Sequence, residues 1–352
     1  MNSESSGADP LAGRIPITLI TGFLGSGKTT LLSQLVKHAD MAGAVVVINE
    51  IGEIGIDHDL VAMATEKIAL LANGCICCSV RSDLQETLRD LFARRQVGEI
   101  PDFDRVIVET TGLADPAPVV QTLVSDTLLA ARYRLDGLVT LVDAVNGLEQ
   151  LTLHEEPAKQ IALADRLILT KTDLTTESQI EPLLVAIKAI NPSAALSRVV
   201  QGHIEPSQLT GLGLASAKAG PKTLSFLGQV MGGDETVPER TLSRRNRPHY
   251  ADIQTQSLRF EQPFTWPALS AALELLTSLR GPDLLRVKAI VNVEGEPVVV
   301  QGVQHIFHPP VTLDRWPSED RSSRFVFITK SMNGEVIGNL LRAVAAMQAP
   351  TI

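Results

Sequence analysis

Eight residues constrain this chain more than any others. Gly22-Phe-Leu-Gly-Ser-Gly27-Lys28-Thr29 satisfies G-x-x-x-x-G-K-[ST] at every fixed position. An apolar run at 15–20 precedes it and a helical pattern at 28–39 follows it. That order predicts a buried strand, a glycine-rich turn and a helix. Glycines let backbone N–H groups converge on phosphate oxygens, and the helix turns its N-terminus to the same anion. Gly22, Gly25, Ser26, Gly27, Lys28, Thr29 and Thr30 are therefore the expected phosphate cradle. Lys28 is expected to neutralise the β- and γ-phosphates, and the Thr29 hydroxyl to ligate Mg²⁺.

The rest of the first half repeats the same grammar. Short apolar runs at 44–48, 105–108, 137–142, 166–169 and 198–200 alternate with helical patterns at 81–95, 116–130, 157–164 and 177–190. Such alternation predicts an α/β domain with a mostly parallel sheet covered on both faces, a P-loop NTPase domain, placed at 14–205. Residues 1–13 read as a disordered tail and 206–248, rich in Gly, Pro and charge, as a linker. Beyond it the order changes: a strand at 250–260, a helix at 265–279, a hairpin at 286–293 and 297–303, a strand at 324–329 and a helix at 333–347. This predicts a smaller α+β domain over 249–352.

Two further segments follow strands of the nucleotide domain. Glu109-Thr-Thr-Gly112 has the spacing of the D-x-x-G element of GTPases, with Glu for Asp. Glu109 is expected to hold Mg²⁺ directly or through water, and the Gly112 N–H to sense the γ-phosphate. Asp143, after 137–142, is open between a similar role and capping a turn. Thr170-Lys171-Thr172-Asp173 resembles N-K-x-D, with Thr170 for Asn. Asp173 would accept from guanine N1–H and the exocyclic amine, which adenine cannot supply, and Lys171 would pack over the base. The nucleotide is therefore expected to be GTP.

The chain has three cysteines, all within four positions: Cys75, Cys77 and Cys78. A secreted disulfide framework spreads its thiols, so this pattern indicates a reduced, cytoplasmic protein. Three thiolates suit Zn²⁺ or another soft or borderline ion. A turn after Cys77 would gather all three. A closed site needs a fourth ligand, and Glu50, Glu53, His58, water or a partner protein can supply it. Residues 49–58 sit where a nucleotide-responsive loop is expected, or form a solvated acidic loop. His203 reads as a loop histidine that could alternatively frame the base with 197–201. His305 and His308 read as turn caps, and Arg244, Arg245 and Arg247 as a solubilising run.

Taken together, GFLGSGKTT (22–30), NEIGEIGID (49–57), GCICCSV (74–80), ETTGLADPAP (109–118), TKTD (170–173) and the stretch 284–310 resemble the CobW-type metallochaperone GTPases, relatives of UreG and HypB. The resemblance implies slow GTP hydrolysis coupled to delivery of Zn²⁺ or Co²⁺ from the thiol cluster to a client metalloprotein. Glu50 joins Cys75, Cys77 and Cys78 as a metal ligand in this reading, while Thr29 and Glu109 serve Mg²⁺. Many members of that family carry a His-rich storage loop. Here seven histidines are scattered, which favours one ion per chain.

Composition excludes several classes. A net charge of −9 argues against a nucleic-acid partner, and no apolar run approaches the roughly 20 residues that span a bilayer. The polar start of the chain lacks a signal-peptide pattern. The sequence leaves the client and the oligomeric state open. A small-molecule kinase with a structural thiol cluster and a nucleotide-modulated zinc sensor or buffer are the alternatives.

Overall fold

Alternation along the strands explains why the first sheet is covered on both faces. Ile17 and Leu19 of β1 (Ile15–Gly22) belong to one buried cluster and Ile20 to another. Val45 and Val47 part from Val46 and Ile48 in β2 (Ala44–Asn49) in the same way, as do Val106 and Val108 from Ile107 in β5 (Arg105–Glu109). The side-chain period of a strand is two, so an uninterrupted apolar run loads both faces. The computed structural model describes residues 13–49, 68–70, 76–80, 84–212, 249–280, 283–332 and 334–346.

The remaining elements of the first half are α1 (Lys28–Leu35), β3 (Ile68–Leu70), β4 (Ile76–Val80), α2 (Leu84–Gln96), α3 (Ala117–Ser125), α4 (Thr127–Arg132), β6 (Tyr133–Asp143), α5 (Gly147–Leu153), α6 (Glu156–Leu163), β7 (Arg166–Thr170), α7 (Glu177–Ile190) and β8 (Ala195–Val199). The sheet has eight strands in the order β3-β4-β2-β5-β1-β6-β7-β8. Every pairing from β4 to β8 is parallel, and β3 pairs antiparallel on β4. Their C-terminal ends therefore share one edge, where open α/β sheets bind ligands.

The second half contains β9 (Ile253–Phe260), α8 (Trp266–Arg280), β10 (Leu284–Val293), β11 (Glu296–Val303), β12 (Ile306–Phe307), β13 (Val311–Thr312), β14 (Ser323–Lys330) and α9 (Gly334–Ala346). Its antiparallel sheet runs β12-β11-β10-β14-β9, with β13 on β11. One face packs Val287, Ala289, Val291, Phe325 and Phe327 against Leu269, Leu276, Ile337 and Leu341 of the two helices. Leu285, Val303, Ile306 and Ile328 instead join the core of the first sheet, with Ile161 and Ala162 of α6. The two sheets thus share a continuous apolar core.

Several local expectations are corrected. The helix expected over 116–130 is two helices, because Asp126 caps a new one by accepting from the N–H groups of Leu128 and Leu129. The helical pattern at 28–39 stops at Leu35, and a 3₁₀ turn follows at Ala39–Met41. Helix α5 was not anticipated. β6 begins at Tyr133 rather than 137, extended by pairing with β1 across a register shift at Ile17/Thr18. No turn follows Cys77: strand β4 runs through Cys77 and Cys78, which pair with Val46 and Val47 on one side and with Ala69 and Ile68 on the other. His308 is no surface turn cap; it is buried, and its backbone N–H donates to the Gln301 carbonyl. Among the described residues, no helix is long and apolar enough to cross a membrane.

Candidate functional site

The phosphate loop leaves the C-terminal end of β1 and enters α1 within five residues. Gly22 has φ +145°, and a Cβ there would stand 2.5 Å from the Leu141 carbonyl and 2.6 Å from Ser26 Oγ. Only glycine lets the chain pass so close to β6. The Lys28 side chain folds back over the loop, donating to the carbonyls of Gly22 at 2.7 Å and Phe23 at 3.2 Å. Its ammonium is thereby held at the mouth of the cradle. Ser26 Oγ is buried with no hydrogen-bond partner among the described residues, a donor suited to a phosphate oxygen. Thr29 is half-buried at the first turn of α1, and Gly25 and Thr30 are exposed on its rim.

Glu109 ends β5, the neighbour of β1, with Ile20 and Ile48 as its register partners. Its side chain is buried, 3% exposed. The loop that follows lies directly on the phosphate loop. A Cβ at Gly112 would come within 2.8 Å of the Leu24 nitrogen and 2.9 Å of its Cα. Thr110 Oγ1 donates to Thr21 Oγ1 at 2.9 Å, a second tie between the two strand ends. A hydroxyl at Thr29 and a carboxylate at Glu109 are hard oxygen donors, and that donor set fits Mg²⁺.

The third segment follows β7. Thr170 Oγ1 donates to the Ser26 carbonyl at 2.8 Å. Lys171 sits in the left-handed region at φ +57°, and its Nζ contacts Asp143 Oδ2 at 2.7 Å. Asp143, at the end of β6, is only 1% exposed and also accepts from the N–H groups of Val145 and Asn146 and the Asn146 amide. Burial alone would raise its pKa. The Lys171 ammonium, the Asn146 side chain and the two backbone donors outweigh it and hold the carboxyl below its ordinary range. Asp143 is thus both a turn cap and the anchor of Lys171. Asp173 projects into solvent from a 3₁₀ turn. His203 is exposed on the loop after β8, beside the Val200 carbonyl, and Gly202 packs against Thr30.

The edge of one sheet therefore brings together Gly22, Gly25, Ser26, Gly27, Lys28, Thr29, Thr30, Glu109, Gly112, Lys171 and Asp173. For the thiol cluster, the backbone places Cys77 and Cys78 on β4, while Cys75, Glu50, Glu53 and His58 lie outside the described residues. His305 is exposed and His308 buried, so these two do not form a pair. Sequence reasoning missed Gln160, on α6, whose amide donates to the carbonyls of Gly112 and Ala114, both at 3.1 Å. Its signal is a lone uncharged polar residue in an otherwise apolar stretch, QIALA.

Comparison with known proteins agrees with this geometry. Residues 16–198 match the family described as CobW/HypB/UreG, nucleotide-binding domain, and 253–345 match the cobalamin synthesis protein cobW C-terminal domain. The chain is 35% identical over 322 residues to the zinc chaperone YjiA of Escherichia coli, covering 89% of this chain and 93% of that protein. It is 30% identical over 367 residues to the zinc chaperone CobW of Pseudomonas aeruginosa, covering 95% and 92%. The crystal structure of Zn(II)-bound YjiA GTPase from E. coli superimposes with a TM-score of 0.70 at 32% identity, over 94% of this chain and 99% of that one.

Proposed function

This chain belongs to the CobW/HypB/UreG family of P-loop GTPases, and on that premise we propose that it is a GTP-hydrolysing zinc chaperone. In this reading the thiols of Cys75, Cys77 and Cys78, with Glu50, hold the ion, and nucleotide state decides when it passes to a client metalloprotein. Zinc is the cargo; the relatives named as zinc chaperones favour it, and thiolate donors also accept Co²⁺. A cytoplasmic setting and the division into 14–205, 206–248 and 249–352 are part of the same proposal.

The observation that carries the reading is a register. β2 has Cys78 opposite Val47 on one side, and Glu109 opposite Ile48 on the other. Strands lie about 4.8 Å apart, so the backbones of the cysteine strand and the magnesium-side carboxylate are on the order of 10 Å from each other. That is close enough for one loop movement to reach both, and far enough for two cations to be held separately. Donor chemistry sorts them: soft thiolates for Zn²⁺, hard oxygens of Thr29 and Glu109 for Mg²⁺.

Hydrolysis is attack of water on the γ-phosphorus, giving GDP and phosphate. Mg²⁺, when bound, neutralises charge on the β- and γ-oxygens. Lys28 exchanges its two carbonyl partners for phosphate oxygens, and the loop backbone with Ser26 Oγ orients them. Gly112 holds its N–H where the γ-phosphate arrives, so loss of that phosphate frees the 109–115 loop. Asp173 selects guanine, and Lys171, fixed by Asp143, supports the base. Intrinsic turnover is slow and a partner raises it.

The test is competition for Zn²⁺ and Co²⁺ with a chromophoric chelator, in Mg·GTP, in Mg·GDP and without nucleotide, for the native chain and Cys77→Ala. Affinity that depends on Cys77 and changes with nucleotide is expected, and thiolate-to-Co²⁺ charge-transfer absorption reports the ligands directly. Metal binding indifferent to both would remove the coupling. Nucleotide-independent binding through Cys77 would leave a zinc buffer, and acceptor-dependent phosphate transfer would indicate a kinase.

A further inference from the structure

Helix α6 touches both the loop after β5 and the C-terminal sheet. At its middle are Lys159 and Gln160. Gln160 is 1% exposed, and its two amide hydrogens go to the carbonyls of Gly112 and Ala114, the residues either side of Leu113. Lys159 Nζ meets Asp115 Oδ2 at 2.5 Å. Asp115 Oδ1 in turn accepts from the Ala117 N–H, starting α3. The loop from 112 to 115 is thus held by two adjacent residues of one helix.

Just past its C-terminal end is Asp165. Its Oδ2 accepts from the Leu138 N–H at 2.9 Å. Its Oδ1 pairs with Arg286 Nη2 and, at 2.7 Å, with Lys288 Nζ, both from β10 of the C-terminal sheet. All three side chains are at least nine-tenths buried. A buried ion pair of this kind contributes little net stability but resists rearrangement, because separating it strands a charge. At the start of α6, Glu155 pairs with Lys330 of β14 at 2.8 Å. The apolar face between, Ala158, Ile161 and Ala162, shares a core with Leu285 and Ile328.

We propose that Gln160 is a positioning residue for the 112–115 loop and that α6 carries the position of that loop to β10 of the C-terminal domain. The inference rests on the GTPase reading above and deepens it. Pinning the carbonyls of Gly112 and Ala114 fixes the backbone beside the phosphate loop, where Gly112 already abuts Leu24. One further feature points to two positions. Gln160 Oε1 is buried with no hydrogen-bond partner among the described residues. A buried acceptor left unmatched costs free energy, and a small shift of the loop that brings a backbone N–H to it recovers that cost. The same helix is then clamped differently at its middle, while Asp165, just past its C-terminal end, transmits the displacement to Arg286 and Lys288.

The experiment uses the full chain and compares native protein with Gln160→Met, which keeps length and apolar volume but removes both donors. Lys159→Gln, at a half-exposed position, is the second variant, in case Gln160→Met unfolds. Steady-state GTP hydrolysis and hydrogen exchange of the 284–293 amides are measured in Mg·GDP and in a non-hydrolysable GTP analogue. Native protein is expected to exchange 284–293 differently in the two nucleotides. Gln160→Met is expected to lower kcat at least tenfold with KM within threefold, and to erase that exchange difference. Lys159→Gln moves both readouts in the same direction by less. A merely structural glutamine would lower thermal stability but leave the nucleotide-dependent exchange intact, and that result overturns the inference, as does unchanged kcat in either folded variant. If native protein hydrolyses no GTP, the underlying function falls and this inference with it. Hydrolysis with no effect of either variant leaves the function standing and removes only the role of α6.

Discussion

The Thr170 hydroxyl donates to the carbonyl of Ser26 at 2.8 Å, tying the 170–173 segment to the middle of the phosphate loop. The same oxygen lies 3.2 Å from the Val142 carbonyl, so one short side chain bridges the ends of β6 and β7 and the loop after β1. Threonine here stands where the N-K-x-D pattern carries asparagine, and it keeps a donor aimed at the phosphate loop. Thr170→Val removes that donor without changing shape. It leaves the buried Ser26 carbonyl without this donor, at a cost of about 1–3 kcal/mol. Thermal unfolding should move down by a few degrees and GDP affinity, followed by fluorescent-nucleotide displacement, should weaken at least fivefold. Unaltered affinity would show that the bridge is structural alone.

Asp173 is exposed, whereas Lys171, two residues before it, is fixed by Asp143. In the proposed reading the carboxylate at 173 accepts two N–H groups from guanine; an amide would present a donor in place of one acceptor. Asp173→Asn should therefore lower GTP affinity about a hundredfold, as expected when a buried pairing is left unmatched, and raise affinity for xanthosine triphosphate. Titration calorimetry with both nucleotides decides it. Equal loss for both would place the base elsewhere.

Gly112→Ala places a methyl 2.7–2.9 Å from Leu24, including its backbone. The phosphate-loop backbone at Leu24 does not yield cheaply, so the 109–115 loop must withdraw from it. GDP binding should survive within threefold, because Lys28 and the glycine cradle are untouched. GTP hydrolysis in single turnover should fall more than tenfold. Hydrolysis at the native rate would mean that Gly112 does not report on the γ-phosphate.

The strands and the phosphate loop were legible because their signals are local. A both-faced apolar run such as 44–48 and a glycine whose φ must be positive each announce themselves within a few residues. The C-terminal hairpin around Gly295 is legible for the same reason. What the sequence hid depends on partners far along the chain. Gln160 meets Gly112 across 48 positions, and Asp165 meets Arg286 across 121. Strand β4 exists because β2 and β3 offer ladders on both sides of Cys77, which no local preference of ICCSV dictates. His308 looks like a turn residue before Pro309, yet packing of β11 and β12 buries it.

That burial gives a pH dependence with a defined sign. Burial is the main influence on His308, the Arg286 cation adds to it and the Asp165 carboxylate opposes it, and its pKa falls from 6.5 to about 4. Below pH 6.5 the unfolded chain takes up a proton that the folded chain refuses until about pH 4. Stability is therefore full above 6.5, declines as pH falls towards 4, and levels off below, a loss on the order of 3 kcal/mol. Asp165 acts in a lower window. Burial would raise its pKa, but Arg286 and Lys288 prevail and bring it from 3.8 to about 2. Its stabilisation is complete above 3.8 and lost as pH falls through 2. Urea midpoints measured from pH 7.5 to 4, in chelator and without nucleotide, cover the His308 window alone, because that of Asp165 lies below it. The native chain should lose stability steadily between 6.5 and 4, and His308→Gln, which cannot titrate, should be much flatter there. Coincident profiles for the two proteins would show that His308 titrates normally and that the cluster around Arg286 is open to water.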